Sequence, residues 1–133
     1  MKKVFFGFAL ADSMFGAQSV VIDRHILSVE DVATIVARGV VSCCNPSHQS
    51  TVNAMRSRFG LHVAIPETPP RVDLAVGDAV IVMGVRGLPR LTDRHEYTDE
   101  EIAQATFVFS MYTVRQAAVP LGFATDLRHI NQG

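Results

Sequence analysis

Short apolar runs separated by polar turns set the pattern of this chain. Residues 3–10 are rich in Val and Phe with few polar positions, which predicts a first strand in the interior of a sheet. Residues 18–23 and 40–44 are short and β-branched or apolar, which predicts two further strands. Residues 106–114 alternate between apolar and polar side chains, and they predict the last strand.

Helices are predicted between these runs by capping residues and by apolar spacing. Ser28 is followed by acidic residues and by apolar positions at helical spacing, and Gly39 marks the end of that helix. Residues 51–59 repeat the spacing, and Gly60 is placed to end the helix in a left-handed conformation. Thr98, with acidic residues directly after it, predicts a short third helix.

A hairpin is predicted in the middle of the chain. Residues 71–76 and 79–85 are apolar runs on either side of Gly77-Asp78, a turn sequence typical of hairpins. The second arm is apolar on both faces, so we expect it inside the sheet. The proline-rich residues 66–70 before it predict a stiff surface loop.

Strands that alternate with helices predict an α/β fold: a single small domain with a mixed central sheet flanked by short helices. The 133 residues, 48% of them hydrophobic, suffice for one core. We place the domain at residues 1–114. Residues 115–133 have no regular apolar period and are interpreted as a C-terminal extension.

Composition narrows the classes of function. Charged residues make up 19% of the chain and the formal net charge is −1, so no surface for long nucleic acid is predicted. No apolar run is long enough to span a membrane, and Asp12 interrupts the one that resembles a signal sequence. Cys43 and Cys44 are adjacent, which disfavours a disulfide between them and indicates a reduced, cytoplasmic protein.

The stretch Asn-Pro-Ser-His-Gln-Ser-Thr at 45–51 is the strongest candidate for chemistry. It lies where a predicted strand leads into a helix, so His48 would sit beside the unpaired amides of a first helical turn, which suit an anion. A histidine there can also move a proton near neutral pH. The alternative is that His48 is an exposed or capping residue, with Ser47, Ser50 and Thr51 as helix caps.

Three more residues could join His48. Arg71 and Arg90 follow or begin predicted sheet elements, and ligands collect at strand ends in open α/β sheets. Asp93 lies beside Arg90, Arg94 and His95, a basic setting that keeps a carboxylate ionised and able to orient a hydroxyl or accept its proton. The alternative is that the arginines only solvate loops and that Asp93 forms a surface ion pair of ~0–1 kcal/mol.

Other chemistries lack a signature in this sequence. There is no serine-hydrolase elbow, phosphate-binding loop or dinucleotide fingerprint. The remaining histidines do not have the spacing of metal ligands. We therefore expect chemistry without a metal or another cofactor.

The order of these segments resembles a known family. An N-terminal strand and turn, Ser-His-Gln-Ser-Thr at a helix entry, Pro-Arg-Val-Asp-Leu before Gly-Asp, and Arg-Gly-Leu-Pro-Arg-Leu-Thr-Asp after the apolar strand are similar to the viral and bacterial ring nucleases related to type III anti-CRISPR proteins. The resemblance spans roughly residues 3–114.

The resemblance implies a homodimer that holds cyclic tetra-adenylate, a second messenger of type III CRISPR defence, in a pocket across its two-fold axis. It implies cleavage without a metal, in which a ribose 2′-hydroxyl attacks the adjacent phosphorus and a histidine protonates the leaving 5′-oxygen. By this likeness His48 is the general acid and Arg71 and Arg90 contact phosphate. The setting would be the cytoplasm, that of the host if the protein is viral.

The likeness also assigns positions where the residues differ from the family. Asp93 stands where the family has a catalytic Glu, Ala11 where it has a ligand-contacting Ser, and Ser13 where it has an Asn. The helix entry contributes the remaining predicted ligand contacts, Ser47, Gln49, Ser50 and Thr51.

Three functions are thus open from the sequence. The first is a ring nuclease that degrades a cyclic oligoadenylate. The second is a messenger sponge of the same fold that binds the ring without cleaving it, which the changed residues Asp93 and Ala11 favour. The third is a dimeric interaction protein without a nucleotide.

Overall fold

A computed structural model describes residues 2–16 and 19–117 of the chain. The strands are β1 Val4–Gly7, β2 Val20–Leu27, β3 Val41–Ser42, β4 Ala79–Arg86 and β5 Thr106–Gln116. The helices are α1 Val29–Arg38, α2 Gln49–Phe59 and α3 Asp99–Gln104, with short 3₁₀ turns at Asp12–Met14 and Pro46–His48.

The five strands form one mixed sheet in the order β2-β5-β4-β1-β3. β1 lies between β3 and β4 and is parallel to both, whereas β5 is antiparallel to β4 and β2. The predicted α/β class and mixed sheet are confirmed. Because β1, β3 and β4 are parallel, their carboxyl ends meet at one edge of the sheet, which we call the carboxyl edge.

Side chains that alternate along the strands divide the core between the two faces of the sheet. Phe6, Ile81 and Phe109 belong to the larger cluster, together with buried residues of α1 and α2. The neighbouring Phe5 and Val80 belong to the smaller cluster on the other face. The predicted interior positions of β1 and β4 are therefore confirmed.

The capping signals are confirmed. The Ser28 hydroxyl accepts a hydrogen bond from the Asp31 backbone N–H at the start of α1. Thr98 and Glu101 form a reciprocal capping box at the start of α3. Gly60 ends α2 with a φ of 70°, a left-handed conformation that favours glycine.

The predicted hairpin is wrong. Residues 71–75 are not in a strand, because β1 and β5 already occupy both sides of β4. The backbone of this segment bonds elsewhere: the Leu74 N–H donates to the Met14 carbonyl and the Gly77 N–H to the Val114 carbonyl, each at 2.8 Å. Val72 and Leu74 instead cover the second face of the sheet.

Two strand boundaries differ from prediction. β1 is only four residues long, and all four pair with β4, whereas only two pair with β3. β2 continues through Arg24 and His25 to Leu27, because it pairs with β5 along its whole length as an edge strand and can hold polar side chains in solvent. The predicted start at Gln18 lies outside the described residues.

The C-terminal extension lies mostly outside the described residues, which end at residue 117. The last strand runs to Gln116, two residues past the predicted domain boundary. No helix of the described part of the chain is long and apolar enough to cross a membrane.

Candidate functional site

His48 lies at the carboxyl edge, at the end of the loop that joins β3 to α2. Its Nδ1 accepts a hydrogen bond from the Asn45 backbone N–H at 3.2 Å. Its ring packs on the Phe8 ring, which follows β1, with 4.4 Å between the ring centroids. Partial burial lowers the pKa of His48 from its ordinary value, because desolvation penalises the charged imidazolium. Neutral imidazole therefore predominates at neutral pH.

The loop that carries His48 is closed by Asn45. Its Oδ1 accepts hydrogen bonds from the backbone N–H and from the hydroxyl of Ser47. Pro46 begins the 3₁₀ turn, where its fixed φ fits and no N–H is needed. Ser47 is exposed and bonds to Asn45, so it is not a cap of α2.

The first turn of α2 has no capping side chain, which corrects the expectation that Ser47, Ser50 or Thr51 caps it. The N-cap is His48 itself, without a side-chain hydrogen bond to the helix. Gln49 bonds instead to Asn53 at 2.8 Å along the helix. The Gln49 N–H donates to the Pro46 carbonyl, so the amides beyond Gln49 are the ones that an anionic ligand would meet.

Ser13 and Arg71 are brought together by the fold. Both line a cavity of about 330 Å³, together with Met14, Cys43 and residues 69–72. Cys43 directly follows β3, so this cavity also belongs to the carboxyl edge. Burial raises the pKa of the Cys43 thiol, which disfavours the thiolate. Ala11 precedes the 3₁₀ turn that carries Ser13, and it is exposed.

Arg90 and Asp93 lie in the exposed loop between β4 and α3. Among the described residues neither side chain forms a hydrogen bond or an ion pair, so no such contact links them to His48 or Arg71. Of the basic neighbours predicted around Asp93, Arg94 forms its ion pair with a different carboxylate. Arg94 binds Glu101 with two hydrogen bonds of 2.6 Å and lowers the pKa of that carboxyl to about 2.

A second cavity, of about 210 Å³, joins α2 to the same loop. Ser50 lines it with Asn53 and Ser57 from α2, and Glu96 and Tyr97 line it from the loop before α3. The loop that carries Arg90 and Asp93 therefore packs close to the first turns of α2. Thr51, in the same turn as Ser50, is half-buried.

Several residues around His48 escaped the sequence analysis. Phe8 falls in the first predicted strand, Cys43 falls in the strand predicted at 40–44, and Asn45 has no predicted role beyond its place in the stretch 45–51. The Asn-Pro dipeptide was the available signal, since Asn before Pro favours the start of a turn. Among the described residues, no group of three His, Cys, Asp or Glu side chains is placed to hold a metal ion.

Comparison with known proteins concerns the fold. No protein-family model matches the chain, and no curated protein matches it in sequence. Among solved structures, B116 of Sulfolobus turreted icosahedral virus is similar, with a TM-score of 0.61 and 19% sequence identity. The match covers 84% of this chain and 98% of B116. At this identity the likeness shows that the two proteins share a fold, and that fold is found in a viral protein.

Proposed function

We propose that this protein is a metal-independent ring nuclease that opens a cyclic oligoadenylate, with cyclic tetra-adenylate as the first substrate to test. Opening the ring would remove the messenger and switch off type III CRISPR defence. The likeness to the fold of a viral protein supports a setting inside an infected cell, where the protein would act in the host cytoplasm.

One observation carries the proposal: His48 is fixed beside the uncapped first turn of α2. Its Nδ1 is occupied by the Asn45 N–H, so Nε2 is the nitrogen left for a ligand. No side chain caps this turn, and the positive end of the helix dipole favours a phosphate at the same place. These features support a proton donor next to an anion site.

The reaction needs no nucleophile from the protein. The ribose 2′-oxygen forms a bond to the adjacent phosphorus as the bond from phosphorus to the 5′-oxygen breaks, and a 2′,3′-cyclic phosphate and a 5′-hydroxyl result. The imidazolium of His48 gives a proton to the leaving 5′-oxygen, and the Asp93 carboxylate accepts the 2′-hydroxyl proton. Arg71 and Arg90 stabilise the charge on the phosphate, with Ser13 beside Arg71 in its cavity.

The test is cleavage of labelled cyclic tetra-adenylate in EDTA, with enzyme in excess. The wild-type protein is expected to form linear products, and His48→Ala is expected to lose at least 100-fold in rate, the usual size of a general-acid effect (~10²–10⁴). His62→Ala is the matched control, because His62 is exposed and follows the opposite end of α2. Equal rates for His48→Ala and the wild type would contradict the proposal.

A messenger sponge is the second candidate, and the position of Asp93 favours it. Its carboxylate has no hydrogen bond or ion pair within the described residues, and it lies in an exposed loop. Binding of the ring without any product would establish this function in place of the first. Absence of binding at micromolar concentrations would contradict both.

A further inference from the structure

The turn before α2 fixes the imidazole of His48 from two sides. The Asn45 N–H donates to Nδ1, and the Phe8 ring packs against the imidazole at an interplanar angle of 52°. The two contacts come from different strand ends, so they hold the ring in position and in rotation. Among the described residues, Nε2 has no hydrogen-bond partner.

The side chain of Asn45 holds the turn that presents this N–H. Its Oδ1 accepts the Ser47 N–H at 2.9 Å, while the His48 N–H donates to the Asn45 carbonyl at 2.9 Å. One residue thus closes the turn with its side chain and its carbonyl and occupies Nδ1 with its N–H. Loss of the Oδ1 would remove both bonds from Ser47 and leave the Asn45 and Pro46 carbonyls as the backbone acceptors of the turn.

The hydrogen bond to Nδ1 decides where the proton of the neutral ring resides. A nitrogen that accepts a hydrogen bond cannot carry a proton, so the neutral ring must be protonated at Nε2. In the imidazolium both nitrogens carry protons, and the Asn45 N–H then faces another N–H. The contact therefore opposes protonation in the free protein.

We propose that Asn45 is a positioning residue for His48: the turn it closes keeps the neutral ring in the Nε2–H tautomer and leaves Nε2 as the nitrogen that meets a ligand oxygen. The effect of the tautomer on cleavage rests on the proposed function. The tautomer of the free protein does not depend on that function, and it can be measured without a substrate.

The experiment is a long-range ¹H–¹⁵N correlation spectrum of the ¹⁵N-labelled full-length protein at about pH 8, above the ordinary histidine pKa of ~6.5. His48→Gln assigns the signals of His48. The wild-type ring is expected to show an unprotonated Nδ1 and a protonated Nε2. Asn45→Ala is expected to show both tautomers in exchange, and Asn45→Asp, which keeps an oxygen for the Ser47 N–H, to restore the single tautomer.

Asn53→Ala is the matched control. Asn53 lies on α2 and bonds to Gln49, so its loss should leave the His48 tautomer unchanged. A wild-type ring protonated at Nδ1 would overturn the proposal, as would an Asn45→Ala variant with the wild-type tautomer. If the Ala variant does not fold, the wild-type spectrum decides, since it reports the protonated nitrogen directly.

Cleavage assays distinguish this proposal from the proposed function. In an active protein, at a pH low enough to protonate His48 in both proteins, Asn45→Ala should lower the single-turnover rate several-fold and change ligand affinity little, with rescue by Asn45→Asp. A protein that cleaves no cyclic tetra-adenylate but shows the fixed Nε2–H tautomer would overturn the function and support the positioning role. A protein that cleaves cyclic tetra-adenylate but carries the proton on Nδ1 would support the function and overturn the positioning role.

Discussion

His48 is the residue on which the proposed chemistry depends, and its surroundings set the pH range in which it can act. Packing against Phe8 and partial burial lower its pKa, so the imidazolium is scarce at neutral pH. The imidazolium that does form gives up its proton more readily than an unperturbed one. At neutral pH, His48 is thus rarely protonated, but its protonated form donates the proton more readily.

Cleavage should therefore become faster as the pH falls. The folded pKa lies below the unperturbed value of ~6.5, so the rate should rise on acidification through the folded pKa and level off below it. Single-turnover rates at a series of pH values, compared with an NMR titration of His48, check this. A rate that increases with pH through the same range would assign His48 as a base instead.

The lowered pKa of His48 also makes the free energy of unfolding depend on pH. The unfolded chain binds a proton at His48 more readily than the folded chain does. The stability that neutral His48 contributes is therefore present above the unfolded pKa of ~6.5 and is lost as the pH falls toward the folded pKa.

Arg71 is expected to contribute to ligand affinity. It lines the same cavity as Ser13, and a hydrogen bond to a charged group contributes about 1.5–3 kcal/mol. Arg71→Ala should thus weaken binding of cyclic tetra-adenylate roughly 10- to 100-fold in a titration by calorimetry. Arg38→Ala is the matched control, because Arg38 is exposed in the last turn of α1. Equal effects of the two substitutions would show that Arg71 acts only through net charge.

At the scale of elements, α1 and α3 were predictable because their signals are local. A capping oxygen bonds to an amide three residues away, so the sequence contains both partners. The prediction of a strand at 71–76 was wrong because strand pairing depends on distant residues. Its apolar alternation fits a strand, but a strand also needs a free neighbour, and β4 has none.

Substitution of Ser28 measures how much one such local capping bond contributes to stability. Ser28→Ala should lower the free energy of unfolding by about 1 kcal/mol, because the Asp31 N–H loses its acceptor. Ser28→Asp retains a capping oxygen and should lower it much less. Urea denaturation followed by circular dichroism measures both, and equal losses would show that the cap contributes little.

At the scale of the whole molecule, Asp78 joins the start of β1 to the turn before β4. Its buried carboxylate accepts the Lys3 N–H at 2.9 Å and the Ala75 N–H at 3.0 Å. The bond to Lys3 spans 75 residues of sequence, so it forms only when the sheet is assembled. Asp78 thus helps to fix the alignment of the two parallel strands.

Asp78→Ala should destabilise the protein by about 1–3 kcal/mol, because two backbone donors lose their acceptor in a buried place. Asp73→Ala is the control, since Asp73 is exposed in the same segment. Thermal and urea denaturation of the two variants measure the difference. Similar values for both would contradict a structural role for the Asp78 carboxylate.

The predicted homodimer is a second property at this scale. A pocket across a two-fold axis requires two copies of the chain, so light scattering should give a mass of about twice 14.5 kDa. A monomer at the concentrations used for ligand binding would contradict a shared pocket. It would leave the contacts around His48 unaffected.

The sequence by itself determined the α/β class, the presence of the three helices with the starts of α1 and α3 and the glycines that end α1 and α2, and the position of His48 at a helix entry. These follow from apolar period, capping residues and glycine, whose partners lie within a few residues. Tertiary structure decided which strands pair and therefore the fate of residues 71–76, since the partners of a strand are distant in sequence. It also decided that Ser13 and Arg71 line one cavity, that Phe8 and Asn45 hold His48, and that Arg94 binds Glu101 rather than neighbouring Asp93, because side-chain contacts across loops depend on how the whole chain packs.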